Sequence, residues 1–146
     1  MHIANGSFIM VVDGRKRLLF RNEGDGFSPD LQLIEEDEQS NPANRDQRSD
    51  APGRAFSSVG AGRSAYEETD FHQLEEDRFA SETARQLKER ALKGDFDSLL
   101  VVAPPATLGE LRKHYHVEVV RRLTAEIPKN LTGHPVGEIE KILIQA

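Results

Sequence analysis

Apolar and polar positions divide the chain into short hydrophobic runs at either end and a polar stretch between them. The first run, Phe8–Val12 (FIMVV), is apolar throughout and stops at Asp13-Gly14, a dipeptide that favours a hairpin turn. A second run, Arg17–Asn22, alternates in part and ends at Glu23-Gly24-Asp25-Gly26. A third, Leu31–Glu35, follows Ser28-Pro29-Asp30 and places Leu31 and Leu33 on one face, because strand side chains alternate with a period of two. Together the runs predict an antiparallel three-strand meander. From Gln39 to about Thr69 periodicity disappears, and Asn, Asp, Ser, Arg, Gly and Pro dominate. A connection of about 30 residues is far longer than the roughly 2–6 usual in a compact domain, and such loops are either functional or disordered.

Periodicity returns at Asp70. Phe71, Leu74, Phe79, Ala84, Leu87 and Ala91 form an imperfect stripe at helical spacing. Asp70 and Gln73 resemble a capping box, and Gly94 supplies a stop, so a long helix is expected over 70–93. Phe96–Ala103 (FDSLLVVA) is the most hydrophobic run, and its Gly and Pro-Pro flanks suit a central strand buried on both faces. Thr107 and Glu110 stand at capping-box spacing ahead of a short helix through about Lys113. Val119, Leu123 and Ile127 mark the last strand within Val117–Ile127. Gly133-His134-Pro135 then opens a terminal helix carrying Val136, Ile139 and Leu143. The order β-β-β-α-β-α-β-α predicts an α/β fold, a ribonuclease H-like mixed sheet with helices packed on it and a long loop between strand 3 and the first long helix.

Composition narrows the class. With 146 residues and 37 % hydrophobic residues, the chain suits a single domain over 1–146, with residues 39–69 as a long mobile arm within it. No apolar run approaches the roughly 18–20 residues of a membrane span. The N-terminus has no basic stretch ahead of its apolar run and reads as a strand rather than a signal peptide. There is no Cys, which excludes disulfides, a thiol nucleophile and a Cys-based zinc site. An acidic cytoplasmic protein without a membrane partner is expected. The net charge of −6 is unevenly spread. Asp30–Ser40 holds five carboxylates and no cation, whereas Asn41–Ser64 holds Arg45, Arg48, Arg54 and Arg63 against Asp46 and Asp50.

That local excess of arginine makes the arm the best candidate site. Guanidinium forks match phosphate oxygens, and Gly60 and Gly62 permit close approach of backbone N–H groups to a ligand. Ser64 adjoins them. The alternative is an arm that docks on its own protein or on a second copy. Other constellations read more plainly as structure. Asp13 with Glu75 or Asp77 could supply carboxylates for a metal-dependent nuclease, but Ala103-Pro104-Pro105 offers none where the central strand ends, and Asp13 is explained as a turn residue. Glu35-Glu36-Asp37-Glu38 lacks the alternate-position ligands of a calcium loop and reads as a solvated strand end. His114 and His116 could point one way on a strand toward zinc, but no third ligand is evident. His72 with Glu75 or Glu76 reads as a surface pair at helix spacing. Ser57, Ser58 and Ser64 have no nucleophile elbow and no assignable base. No catalytic residue, metal site or cofactor is expected.

The stretches MVVDGRKRLLFRNEG, NPANRDQRSDAPGRAFSSVGAGRSAYEETDFHQLEEDRFA, LLVVAPPATLGELRK and LTGHPVGEIEKIL resemble the bacterial host attachment proteins, described as required for attachment to host cells. A more distant resemblance is to the middle domain of eukaryotic and archaeal peptide-chain release factors and Pelota. In a release factor, the loop between the meander and the first long helix carries Gly-Gly-Gln to peptidyl-tRNA. Here Val59-Gly60-Ala61-Gly62-Arg63-Ser64-Ala65 stands in the corresponding place, with both glycines similar, the glutamine absent and Arg63 at or near its position. The resemblance implies a non-catalytic module that contacts RNA, the ribosome, tRNA or a translation complex through Arg45, Arg48, Arg54, Gly60, Gly62, Arg63 and Ser64. A role in host attachment would then be indirect. Two other readings stay open: a peptidyl-tRNA or ester hydrolase using the Gly-rich loop, and an assembly module whose arm completes a homo-oligomer.

Overall fold

The computed structural model describes residues 1–39 and 54–146; for residues 54–69 it describes the backbone alone. The sequence FIMVV forms β1 (Phe8–Val12), and its five side chains are all buried. β2 (Lys16–Asn22) returns antiparallel to β1, with Val12 opposite Arg17. The turn between them rests on Asp13. One of its carboxylate oxygens accepts the N–H groups of Arg15 and Lys16 at 2.7 Å each, and the Lys16 carbonyl accepts the Asp13 N–H in return. Such an Asx arrangement explains the hairpin without a left-handed residue; the backbone of Gly14 does not adopt positive φ.

β3 (Leu31–Glu38) pairs antiparallel with β2 and runs three residues beyond the expected Glu35. A bulge falls between the pairs Leu19–Glu35 and Phe20–Leu33, which makes Ile34 the extra residue. Leu31 and Leu33 do share a face, but Leu31 is buried while Leu33 is half exposed on this edge strand. The acidic run is less solvated than expected. Its residues alternate, so Glu35 and Asp37 face the long helix and pair with Arg90 and Arg17 at 2.9 and 3.1 Å, while Glu36 meets Lys16 at 3.7 Å.

The long helix, α1, spans Arg54–Leu92, 39 residues rather than the 24 expected from Asp70 to Lys93. Asp70 therefore lies inside the helix, and Gln73 bonds Asp77 one turn on instead of closing a capping box. The expected loop is correspondingly shorter: Arg54, Gly60, Gly62, Arg63 and Ser64 all lie in α1. The physical reason is local composition. Ala55, Ala61, Ala65, Glu67 and Glu68 favour helix, but two glycines and three serines erase the apolar period that would reveal it. Arg45 and Arg48 lie outside the described residues.

Phe79, Ala80, Ala84, Leu87 and Ala91 of α1 pack on one face of the sheet, where Phe71 is partly buried and Leu74 is exposed. Gly94 ends the helix at φ 73°, as the glycine stop predicts. β4 (Leu99–Val102) then inserts parallel to β1, with Phe8 opposite Leu99. α2 (Pro105–Arg112) starts two residues before Thr107, so Thr107 is inside it and no side chain caps it. Glu110 instead bonds Lys113 and His114 at 3.2 and 3.1 Å, which holds its carboxyl below the usual range.

The segment expected as one strand splits. Val117–Arg122 forms α3 and only Leu123–Ile127 forms β5, parallel to β4. Val119, Leu123 and Ile127 recur every fourth residue, which suits a helix as well as a strand. The His116 imidazole caps α3 by accepting the Glu118 N–H at 3.0 Å. α4 (Val136–Gln145) buries Ile139 and Leu143 against the second face of the sheet. The sheet order is β3-β2-β1-β4-β5, a ribonuclease H-like mixed sheet covered by helices on both faces.

α3 is fastened by Glu118 and two arginines. Arg122 donates to the Phe96 carbonyl at 3.0 Å and to the Glu118 carboxylate at 2.9 Å, and Arg121 reaches the other Glu118 oxygen at 2.8 Å. These bonds, Arg122 foremost, hold the Glu118 carboxyl below its ordinary value of 4.5. A carboxyl depressed in the folded state stabilises it above the unfolded pKa, and the gain is lost as pH falls through the folded pKa. Glu118→Gln should therefore lower Tm at neutral pH, with the deficit shrinking below about pH 4. Parallel Tm curves for the two proteins across that range would contradict the assignment.

Candidate functional site

β1 and β4 are parallel neighbours at the middle of the sheet, and the chain leaves their C-terminal ends toward opposite sides. In open α/β sheets such a reversal leaves a crevice outside the carboxyl ends of the strands, where ligands bind. Here β1 is followed by Asp13, β4 by Ala103, and β5 by the loop that carries Asn130, Thr132 and His134. The second Asp13 carboxylate oxygen accepts the Thr132 hydroxyl at 2.6 Å, and that hydroxyl lies 3.1 Å from the Asn130 amide oxygen. Asp13 thus ties the first hairpin to the loop after β5. An open cavity of about 360 Å³ lies beside this tie, lined by Asn130, Thr132, Gly133, His134, Pro135 and Glu138.

α1 borders the same edge on the other face. His72 lies 3.3 Å from the Arg15 guanidinium, and Gln39 donates to Glu75 at 2.9 Å. The Glu76 carboxylate covers Gly14 so closely that a Cβ there would sit 2.7 Å from it. Asp13, Arg15, His72, Glu75 and Glu76 are therefore gathered where the sheet meets the helix. Of the carboxylates weighed for a nuclease, Asp13 is engaged by its turn and Thr132, Glu75 by Gln39 and Arg78, and Asp77 by Gln73. Among the described residues no three His, Asp or Glu side chains gather as a metal site. His114 and His116 do not share a strand; they follow α2 and cap α3 respectively.

The direction of α1 relates the arm to this edge. Its contacts pass from Glu76 over Gly14 to Arg90 over the sheet, so the helix enters from the C-terminal edge of β1. Its 39 residues span about 58 Å, whereas the eight residues of β3 span about 27 Å. The helix outruns the sheet, and residues 54–69 continue beyond the edge that carries Asp13 and Arg15. Arg54, Gly60, Gly62, Arg63 and Ser64 of the expected site lie on that extension. Thr132, Asn130 and Glu138 are not among the residues the sequence points to, although Gly133-His134-Pro135 marks a helix start. The link from Thr132 to Asp13 spans 119 positions and has no local signature.

A family model described as bacterial archaeo-eukaryotic release factor family 12 matches residues 6–143. The match supports the release-factor-like part of the resemblance and adds no support to the host-attachment name. The comparison with curated proteins found no match.

Asp13 joins the two loops of this edge, so its removal should be felt on both sides. Asp13→Ala removes three hydrogen bonds, one exposed and two part-buried, and should cost about 2 kcal/mol at roughly 0.5–1.5 kcal/mol for each bond. Hydrogen exchange should quicken at both Arg15–Lys16 and residues 130–134. Exchange confined to the hairpin would contradict the tie between the two loops.

Proposed function

The chain belongs to bacterial archaeo-eukaryotic release factor family 12, and from that membership we propose a translation-related, non-catalytic binding module. In this reading the module contacts RNA in the ribosome, in tRNA or in another translation complex through its Arg/Gly-rich segment, 39–69. In this reading Arg45, Arg48, Arg54, Arg63 and Ser64 meet the phosphates, and Gly60 and Gly62, lacking side chains, let the RNA approach the helix closely. The observation that carries the reading is the projection of α1 past the sheet edge together with the local charge. Four arginines face only two acidic residues in 41–64, within a protein of net charge −6. Such a distribution gives a local phosphate-seeking probe on a body that repels indiscriminate nucleic-acid binding.

The placement of the two glycines favours binding over hydrolysis. Gly60 and Gly62 fall beyond the first turn of α1, where backbone N–H groups are bonded along the helix. Free loop N–H groups that could position water are what the hydrolase reading requires. The glutamine of the release-factor motif is also absent from 59–65. A role in host attachment would follow indirectly, through an effect on translation. The assembly reading, in which the arm completes a homo-oligomer, is separated from RNA binding by the mass of the protein in solution with 39–69 removed.

Replacing Arg45, Arg48, Arg54 and Arg63 together by Gln tests the proposal. Affinity for a structured RNA such as tRNA should fall by about tenfold or more at moderate salt. The slope of log affinity against log salt should flatten by roughly 0.7–0.9 for each phosphate no longer neutralised. Unchanged affinity and slope would remove the arm as the RNA-binding element, and an unchanged slope with lower mass in solution would favour assembly.

A further inference from the structure

The residues just ahead of β1 form a turn that carries a reactive pair. Ser7 donates its N–H to the Ala4 carbonyl at 3.1 Å, closing a turn with Asn5 and Gly6 at its centre. Gly6 has φ 83°, and among the described residues only glycines have positive φ, so the turn is type II. In an Asn-Gly step the backbone can attack its own side chain. Glycine has no Cβ to shield the attacking nitrogen, and the neutral asparagine amide is an electrophile that releases ammonia. Asp13-Gly14 and Asp25-Gly26 place the same glycine beside carboxylates held by turn N–H groups, which are poorer targets for a nucleophile.

The fold engages both reacting groups. The Gly6 N–H donates to the Asn22 carbonyl at 2.8 Å, and the Asn5 side-chain amide donates to the Gly24 carbonyl at 2.8 Å. Asn22, fully buried, is the hub of this contact. Its side-chain amide donates to the Ile3 carbonyl at 2.8 Å, and its side-chain oxygen accepts the Gly24 and Asp30 N–H groups at 2.9 Å each. Ile3 is buried as well, and its N–H reaches the Gly26 carbonyl at 3.2 Å. Residues 3–6 are thus latched to the loop between β2 and β3, with the Asn5 side chain exposed at the rim. Ring closure requires the Gly6 nitrogen to lose its proton and meet the Asn5 side chain, so these bonds must first open.

We propose that Asn5 is a self-modification site, closed while this latch holds, and that its conversion keeps the latch open. The Gly6 nitrogen bonds Asn5 Cγ, the Cγ–Nδ2 bond breaks, and ammonia leaves with the Gly6 proton, giving a cyclic succinimide. Water then opens the ring at either carbonyl, giving aspartate or isoaspartate. Both products lose the donor to the Gly24 carbonyl and set a carboxylate against it. Isoaspartate also adds a carbon to the main chain, which moves Gly6 out of register with Asn22. The site is independent of the arm and of its proposed role.

The test compares the protein with a peptide of residues 1–10 at mildly alkaline pH, conversion being followed by mass spectrometry. The peptide has no latch, and the protein should convert about tenfold or more slowly, the worth of the hydrogen bonds that must open. Asn22→Ser should bring the protein's rate toward that of the peptide. Should that variant not fold, Ile3→Ala, which removes only an apolar anchor, carries the same expectation. Asn5→Asp, equivalent to the aspartate product, should quicken hydrogen exchange at Ile3 and Gly6 and leave β4 and β5 unchanged. The proposal fails if the peptide stays intact, if the protein converts as fast as the peptide, or if the loosened variants convert no faster than the parent. It fails equally if exchange at Ile3 and Gly6 is unmoved by Asn5→Asp.

Discussion

The pairing of β1 with β4 is the constraint from which the rest of the molecule follows. Both strands are buried at every position, and Phe8, Ile9, Met10 and Val11 lie opposite Leu99, Leu100, Val101 and Val102. Parallel neighbours cannot be joined by a tight turn and require a crossover over one face of the sheet. That crossover contains α1, which must return from the C-terminal edge of β1 to the N-terminal edge of β4. Its apolar stripe from Phe79 to Ala91 is long enough for the return journey. The rest of the helix has no sheet beneath it and is carried outward at the edge where Asp13 ends β1.

The charges follow the same geometry. Residues that a count of net charge would assign to solvent serve to hold α1 on the sheet. Arg17 of β2 bonds Asp37 and Thr83 and stacks on the Phe79 ring at 4.6 Å, while Arg90 bridges Glu35 and Asp95. Clamping one end of the helix on the sheet leaves the other end to continue past the sheet edge. The two edges of the sheet differ in their side chains: Asp13, Arg15, Glu75 and Glu76 gather at the edge beside the extended helix, and Ser7, Ser98 and Thr124 stand at the other.

Strand positions are legible in the sequence wherever burial is two-sided or a turn residue is specific. FIMVV forms β1 as expected, the expected strand Phe96–Ala103 narrows to Leu99–Val102, and Asp13 and Gly94 stop their elements by local chemistry. What escapes the pattern is decided by contacts that sequence spacing does not encode. Val117–Arg122 and Leu123–Ile127 share one apolar rhythm, and the first half, a helix, carries the Glu118 pairs with Arg121 and Arg122 and the His116 cap. Thr107 and Asp70 resemble caps because such residues also occur within helices, while α2 begins on Pro104-Pro105 instead. At the candidate site, Asp13 is identified by the turn it makes, whereas its partner Thr132 arrives from the other end of the chain. The arginine content of the arm is visible at once. The helical backbone of 54–69 is hidden by its glycines and serines.

Ultraviolet crosslinking of the protein to ribosomes and tRNA, with the crosslinked peptides identified by mass spectrometry, tests whether the arm meets RNA. RNA-bearing peptides should concentrate between Arg45 and Ser64, with few from β3 or from α4. Crosslinks spread over the sheet and helices without enrichment in that segment, or none at all with translation complexes present, would contradict it.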